Sequence, residues 1–233
     1  MKAMILAAGV GSRLGELTKE TPKCLVTVGD KTVLERVVGS LKAAGVTEVV
    51  INLHHLADKV VSFVESRKHF GIKVHFSREE SLLDTGGGLK KAAAFFSAED
   101  TFFVHNADVL STINLSALAA LHRSRGAIGT LAVLRRPSSR GLYLNSAKAL
   151  VAWTGEGSPA PAGAELFGFC GVSVASSNLF SFMPEEAAFS IIAPYLKAAR
   201  ATKLVWGEPC PEADWIDIGT PEQLAAARSK LPL

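Results

Sequence analysis

Apolar positions along this chain follow two alternating rhythms. Residues 2–8 (KAMILAA) are continuously apolar after the lysine and stop at glycine, as in a strand buried on both faces. Residues 32–44 (TVLERVVGSLKAA) switch to helical spacing. Leu34, Val37, Val38 and Leu41 share one face, and Gly45 closes the segment. The alternation then repeats. It predicts strands over 47–53, 72–77, 101–108 and 128–134, and helices over 56–69, 86–96 and 115–125. In the second helix Val60, Phe63 and Val64 are expected to face inward. Strand and helix in this order specify a mostly parallel, doubly wound α/β sheet flanked by helices.

The rhythm breaks after residue 134. Two short strands are expected over 142–144 and 149–153, with a loop rich in Gly, Pro, Ser and Ala over 155–163. Further strands are expected over 166–176, 203–208 and 215–218. A helix is expected over 187–200, and another starts at Pro221. One domain explains this better than two. Its parts are a larger alternating half (1–134), a small mixed part (135–214) and a closing strand and helix (215–233).

The 233 residues suffice for one sizeable core, and 48% of them are hydrophobic, too many for a disordered chain. Net charge is +3, with Lys and Arg scattered, so neither a nucleic-acid stripe nor a basic membrane face is expected. Three cysteines without close pairing argue against a disulfide framework or a zinc ribbon. With no signal-type segment and no long apolar run, a cytoplasmic protein with reduced thiols is expected.

The candidate chemistry sits where apolar runs meet polar residues. After the first strand comes GVGSRLGELTKETPK, with glycines at 9, 11 and 15 and the cations Arg13 and Lys23. A dinucleotide turn would enter its helix at once, and a Walker loop needs Gly-Lys-Ser/Thr; neither fits. The stretch is either a plain turn with surface cations or a phosphate nest flanked by a guanidinium and an ammonium. Asp108 follows the apolar FFVHNA, at the strand end where open α/β sheets bind ligands. It is a magnesium ligand or a turn-capping residue. Asp217, between Ile216 and Ile218, is a metal ligand or a buried acid satisfied by backbone N–H groups. Three glycines in LLDTGGGLKKA either permit close approach of a base or make a flexible helix entry. His105 reads as core or backing for the site. Arg135 and Arg136 read as a solvated pair, with a pair facing an anionic ligand as the alternative, and no nucleophile–base pair is indicated.

Taken together, LAAGVGSRLGELTKETPKCL, LLDTGGGLKKA, HNADVL, FGFCGVSV and WIDIGTPEQL resemble, in order, the motifs of the sugar-1-phosphate nucleotidyltransferases. The look is nearest to N-acetylmuramate-1-phosphate uridylyltransferases and mannose-1-phosphate guanylyltransferases. The resemblance implies a GT-A-like nucleotidyltransferase fold and Mg²⁺-dependent transfer from an NTP to a sugar 1-phosphate, releasing pyrophosphate. Uridylyl transfer to an N-acetylmuramate-type acceptor is the expectation. Guanylyl transfer to a mannose- or heptose-type acceptor, or cytidylyl transfer to phosphocholine, are alternatives. It also implies nucleotide contacts at Leu6, Ala7, Ala8, Gly9, Gly11, Ser12, Arg13, Lys23, Asp84, Thr85, Gly86, Gly87 and Gly88. By the same resemblance residues 1–134 would mainly bind the nucleotide and 135–214 mainly the sugar phosphate, with acceptor contacts at Asn106, Asp108, Gly171 and Lys148. Asp108 and Asp217 would hold the metal, and Arg13 and Lys23 would act with them in catalysis. Cys24 stands where the family usually has proline, and no β-helix or acyltransferase domain follows within the chain.

Overall fold

The computed structural model describes residues 1–97, 100–136, 138, 141–157 and 159–230. Ser158 of the Gly/Pro-rich loop and residues 231–233 of the closing segment therefore lie outside the described residues. In chain order the elements are β1 (Lys2–Leu6), α1 (Leu17–Glu20), β2 (Thr27–Val28), β3 (Lys31–Thr32), α2 (Val33–Ala43), β4 (Glu48–Leu53), α3 (Ala57–Ser66) and β5 (Lys73–Arg78). Then come α4 (Asp84–Lys91), β6 (Thr101–Asn106), β7 (Val109–Ser111), α5 (Leu115–Ser124), β8 (Gly129–Leu134), β9 (Gly141–Leu144) and β10 (Leu150–Trp153). The chain closes with β11 (Glu165–Ser176), α6 (Ile192–Thr202), β12 (Val205–Pro209), β13 (Trp215–Asp217) and α7 (Pro221–Lys230).

The main sheet runs β10-β9-β11-β6-β1-β4-β5, with β8 also beside β11 and β12 beyond β8. β5, β4, β1 and β6 are parallel. The long β11 runs antiparallel to both β6 and β8, so β8 ends at the same edge as β1 and β6. This shared carboxyl edge is where the polar loops gather.

Burial on both faces explains the unbroken apolar runs. Ala3 and Ile5 of β1 pack with α2, α3, α5 and α7, while Met4 joins the opposite layer beneath α4 and α6. That second layer holds Phe96 stacked on Phe102 at 4.1 Å between ring centroids. α2 starts where Thr32 and Glu35 form a reciprocal capping box, each side chain accepting from the other's backbone N–H. No helix among the described residues is long and apolar enough to cross a membrane.

Several element boundaries differ from the sequence expectation, each for a tertiary reason. α3 stops at Ser66 because Lys68, His69 and Phe70 adopt left-handed backbone, with φ of 51°, 52° and 53°. Phe63, expected inward, is half-buried, with its ring tilted against Phe70 and Arg67 over it. The expected helix over 187–200 begins only at Ile192, because Phe189 exchanges backbone bonds with α4: Gly86 N donates to Phe189 O and Phe189 N to Leu83 O. The helix carrying the glycine triplet begins at Asp84, two residues before the glycines, and β7, for which the sequence pattern names no element, is a strand paired with β13.

Candidate active site

The loop after β1 is shaped by one glycine that must be glycine. Gly11 has φ +71°, and a Cβ there would stand 3.0 Å from Thr18 Cγ2 and 3.2 Å from Lys23 Cβ. Its carbonyl accepts from Leu14 N and from Thr18 Oγ1, which curls the loop over a 3₁₀ turn at Ser12–Leu14. Gly9, Ser12 and Arg13 are exposed at the edge. The loop returns through Pro22 into a second 3₁₀ turn, Lys23–Leu25. There Lys23 turns toward the site while Cys24 goes into the core, its thiol pushed up to about 12 by burial. Cys24 is thus a packing residue, not a nucleophile.

Lys23 Nζ donates to Asp108 Oδ2 at 2.5 Å. Asp108 follows β6 and is joined to the closing strand by Ile218 N, which donates to the Asp108 carbonyl at 3.0 Å. The β7–β13 pairing sets Asp217 opposite Val109, so the two aspartates, far apart in sequence, become neighbours. Asp217 Oδ1 also accepts from Gly219 N at 3.3 Å, so the backbone-satisfied reading of this acid holds in part. Both carboxylates line a cavity of about 700 Å³, together with Arg13, Thr85, Asn106 and Gly171. Arg13 packs against the backbone after Asp217: a Cβ on Gly219 would lie 2.8 Å from Arg13 Nη2. Gly171, at φ +72°, similarly makes room for Asn106 Nδ2.

Two carboxylates are a sparse metal set, and no group of three or more His, Cys, Asp or Glu side chains is arranged for a metal among the described residues. That suits Mg²⁺, which takes one or two carboxylates and fills its shell with water and phosphate oxygens. It does not suit zinc. His105, read as core or backing for the site, follows Val104 in β6. It is buried, donates from Nδ1 to Asn106 O, and burial lowers its pKa.

Gly86, Gly87 and Gly88 are buried in α4; the first two amides are bonded to Phe189 O, and side chains there would strike Phe189, the Ala187 carbonyl, and Asn52 with Glu79. They seat the 187–191 segment and do not present an open loop. Asp84 is exposed with φ +57°, and Thr85 Oγ1 accepts from Ile191 N. Leu6 and Ala7 are half-buried and Ala8 is buried. Lys148 is not brought to the cavity: it pairs with Glu165 at 2.8 Å and lies over the Phe167 ring. Arg136, read as solvated, is half-buried and lines the cavity, whereas its neighbour Arg135 is exposed and pairs with Glu165.

Sequence reasoning also missed Asn52 and Glu79, 2% and 6% exposed. Asn52 Oδ1 accepts from Ala7 N at 2.7 Å, and its Nδ2 donates to Glu79 Oε1 at 2.7 Å. Glu79 Oε2 accepts from Leu83 N. The pair ties the loop after β1 to the start of α4. Its signal was available, since an amide inside the apolar EVVINL is costly unless bonded.

A family model described as nucleotidyl transferase matches residues 2–141. Among curated proteins, a mannose-1-phosphate guanyltransferase of Gibberella zeae is 37% identical over 149 residues, covering 62% of this chain and 41% of that protein. A UTP–glucose-1-phosphate uridylyltransferase of Synechocystis sp. is 35% identical over 141 residues, covering 56% of this chain and 36% of that protein. The chain spans less than half the length of these relatives. Among solved structures, a Bacillus anthracis chain assigned as a glucose-1-phosphate thymidylyltransferase superposes with a TM-score of 0.85 at 20% identity, covering 100% of this chain and 97% of that one. HddC of Yersinia pseudotuberculosis, complexed with GMP-PN, gives 0.74 at 22% identity over 98% of each chain. At those identities the two structures speak to the fold.

Proposed function

Since the chain belongs to the nucleotidyl transferase family, we propose that it transfers a nucleotidyl group from an NTP to a sugar 1-phosphate, giving an NDP-sugar and pyrophosphate. The observation that carries this reading is the convergence of Arg13, Asp108 and Asp217 on one cavity at the carboxyl edge, with Lys23 bonded to Asp108. The glycine loop supplies exposed backbone around Gly9 and Ser12 for phosphate oxygens, and Arg13 adds a fork of donors. Asp108 and Asp217 would hold Mg²⁺, which when bound supplies charge neutralisation between donor and acceptor phosphates. Lys23 and Arg13 stabilise charge developing on the pyrophosphate as an acceptor oxygen attacks the α-phosphorus. A phosphate monoester is mostly ionised near neutral pH, so the lack of a nucleophile–base pair is no obstacle.

Guanylyl transfer to a mannose-type 1-phosphate is the specific reading that the fungal relative favours. Uridylyl transfer to glucose 1-phosphate is the second, on the Synechocystis relative. Neither relative favours N-acetylmuramate, and the triplet that suggested it is packed inside α4. Phosphocholine finds less support: of the two cavity-lining indoles, Trp153 and Trp215, the second is already covered by the Arg136 guanidinium and not open to a quaternary ammonium. The test is pyrophosphate release from GTP, UTP, dTTP and CTP against mannose, glucose and N-acetylmuramate 1-phosphates and phosphocholine, with and without Mg²⁺. Release with a sugar 1-phosphate, abolished by chelation, is the expected result. No release with any pair overturns the reading.

A further inference from the structure

β8 ends at the same sheet edge as β1 and β6, but on the other side of β6. Two strand spacings separate β6 from β8, about 10 Å. Asp108 therefore sits between the nucleotide loop after β1 and whatever leaves β8. What leaves β8 is Arg135 and then Arg136.

Arg136 is built into place. Its guanidinium lies 4.0 Å from the Trp215 ring centroid, and Trp215 is itself anchored by Nε1 donating to Cys170 O at 2.8 Å. Its Nη2 donates to Phe169 O at 2.7 Å. Gly168 is what lets it lie there, since a Cβ would stand 2.8 Å from Arg136 Cγ and 2.9 Å from Cζ. Trp215 and Asp217 are i and i+2 on one strand, so their side chains share a face, with Cα atoms about 7 Å apart. A group resting on Trp215 thus lies on the face of β13 that also carries a proposed metal ligand, and both line the same cavity.

We propose that Arg136 is the cation that binds the acceptor's phosphate, across Asp108 from the nucleotide loop. This rests on the nucleotidyl-transfer reading and assigns the acceptor side of it. The cations among the described residues that line this cavity are Arg13, against Gly219 just past Asp217, and Arg136, over Trp215 just before it. The acceptor phosphate must reach the metal carboxylates from the side the nucleotide leaves open, which is the β8 side. A planar fork fixed by stacking suits a phosphate's paired oxygens, and it is already ordered before the acceptor arrives.

The test is steady-state kinetics of Arg136→Met and Arg136→Lys, with mannose 1-phosphate and GTP, or glucose 1-phosphate and UTP if wild type prefers that pair. Arg136→Met is expected to raise the acceptor KM roughly 30-fold, as loss of a charge-assisted bond would, while the NTP KM stays within about threefold. Arg136→Lys, which keeps the charge, should raise it about fivefold and serves if the Met variant does not fold. Arg135→Met should behave as wild type. An unchanged acceptor KM in a folded variant, or parallel rises in both KM values, overturns the assignment while wild-type turnover leaves the broader reading standing. Absence of wild-type turnover with every pair removes both.

Discussion

Lys23 Nζ lies 2.5 Å from Asp108 Oδ2, joining two residues 85 apart in sequence. The pair is partly buried, with side chains 11% and 31% exposed. Lys23 holds an acid that would otherwise sit half-desolvated beside Asp217. Both partners also stand where an incoming phosphate and its metal would need them.

The proposed metal ligands should therefore be separable from the fold. Asp108→Asn and Asp217→Asn are each expected to lower kcat by roughly 100-fold or more, with melting temperatures close to wild type. Turnover of Asp108→Asn near the wild-type rate would remove that residue from the machinery.

Gly219 offers a way to disturb Arg13 without touching it. A methyl there meets Arg13 Nη2 at 2.8 Å and Gln223 Oε1 at 3.0 Å, both movable side-chain ends. Gly219→Ala should raise the NTP KM about tenfold, one charge-assisted bond's worth. The fold, monitored by thermal melting, should be little changed.

Asn52 carries both stability and site geometry. Asn52→Leu leaves Ala7 N and Glu79 Oε1 buried without their partner, at a cost of about 3 kcal/mol. For a chain of this size that lowers the melting temperature by roughly 6–12 °C. Because Ala7 begins the proposed phosphate loop, the NTP KM should rise as well. A stable variant with an unchanged KM would show the link to be dispensable.

Acid should weaken the fold through buried histidine. Burial pushes His122 down to about 4, with Arg123 adding to the effect, and its Nδ1 lies 3.1 Å from Thr130 Oγ1. The unfolded imidazole titrates near 6.5, so between about pH 6.5 and 4 the unfolded chain binds the extra proton. Stability is full above that window and falls as pH drops through it. His105, also lowered by burial, acts in the same direction. Melting temperature should be lower at pH 5 than at pH 7, and His122→Gln should shrink the difference. An undiminished difference in that variant would exclude His122 as a source.

Much of this was legible because burial writes itself into the chain locally. The central strands had to be continuously apolar, and the residues just past them, Gly9 after β1 and Asp108 after β6, marked the carboxyl edge. Arg136, two residues past Leu134, stood at the same edge, and Asn52 inside the apolar β4 carried a different mark, a polar amide that must be bonded. Where a residue type serves two physical needs, the sequence was silent. Gly86–Gly88 could admit a ligand or a packed segment, and Phe189, a hundred residues on, decided for packing. Lys148 and Arg136 were equal as charges. Only Glu165 beside the first and Trp215 beneath the second separated them.

The sequence by itself determined the α/β alternation, the glycine-rich loop after the first strand, and which charged residues stand at strand ends. Those follow from periodicity and backbone sterics, which act over a few residues. Which of those charges meet was decided by the order β8-β11-β6-β1 and by β13 pairing with β7. Such pairings join segments far apart in the chain, and their stability depends on the burial of both partners together. No local pattern records that, so the cavity uniting Arg13, Asp108, Arg136 and Asp217 exists only in the folded sheet.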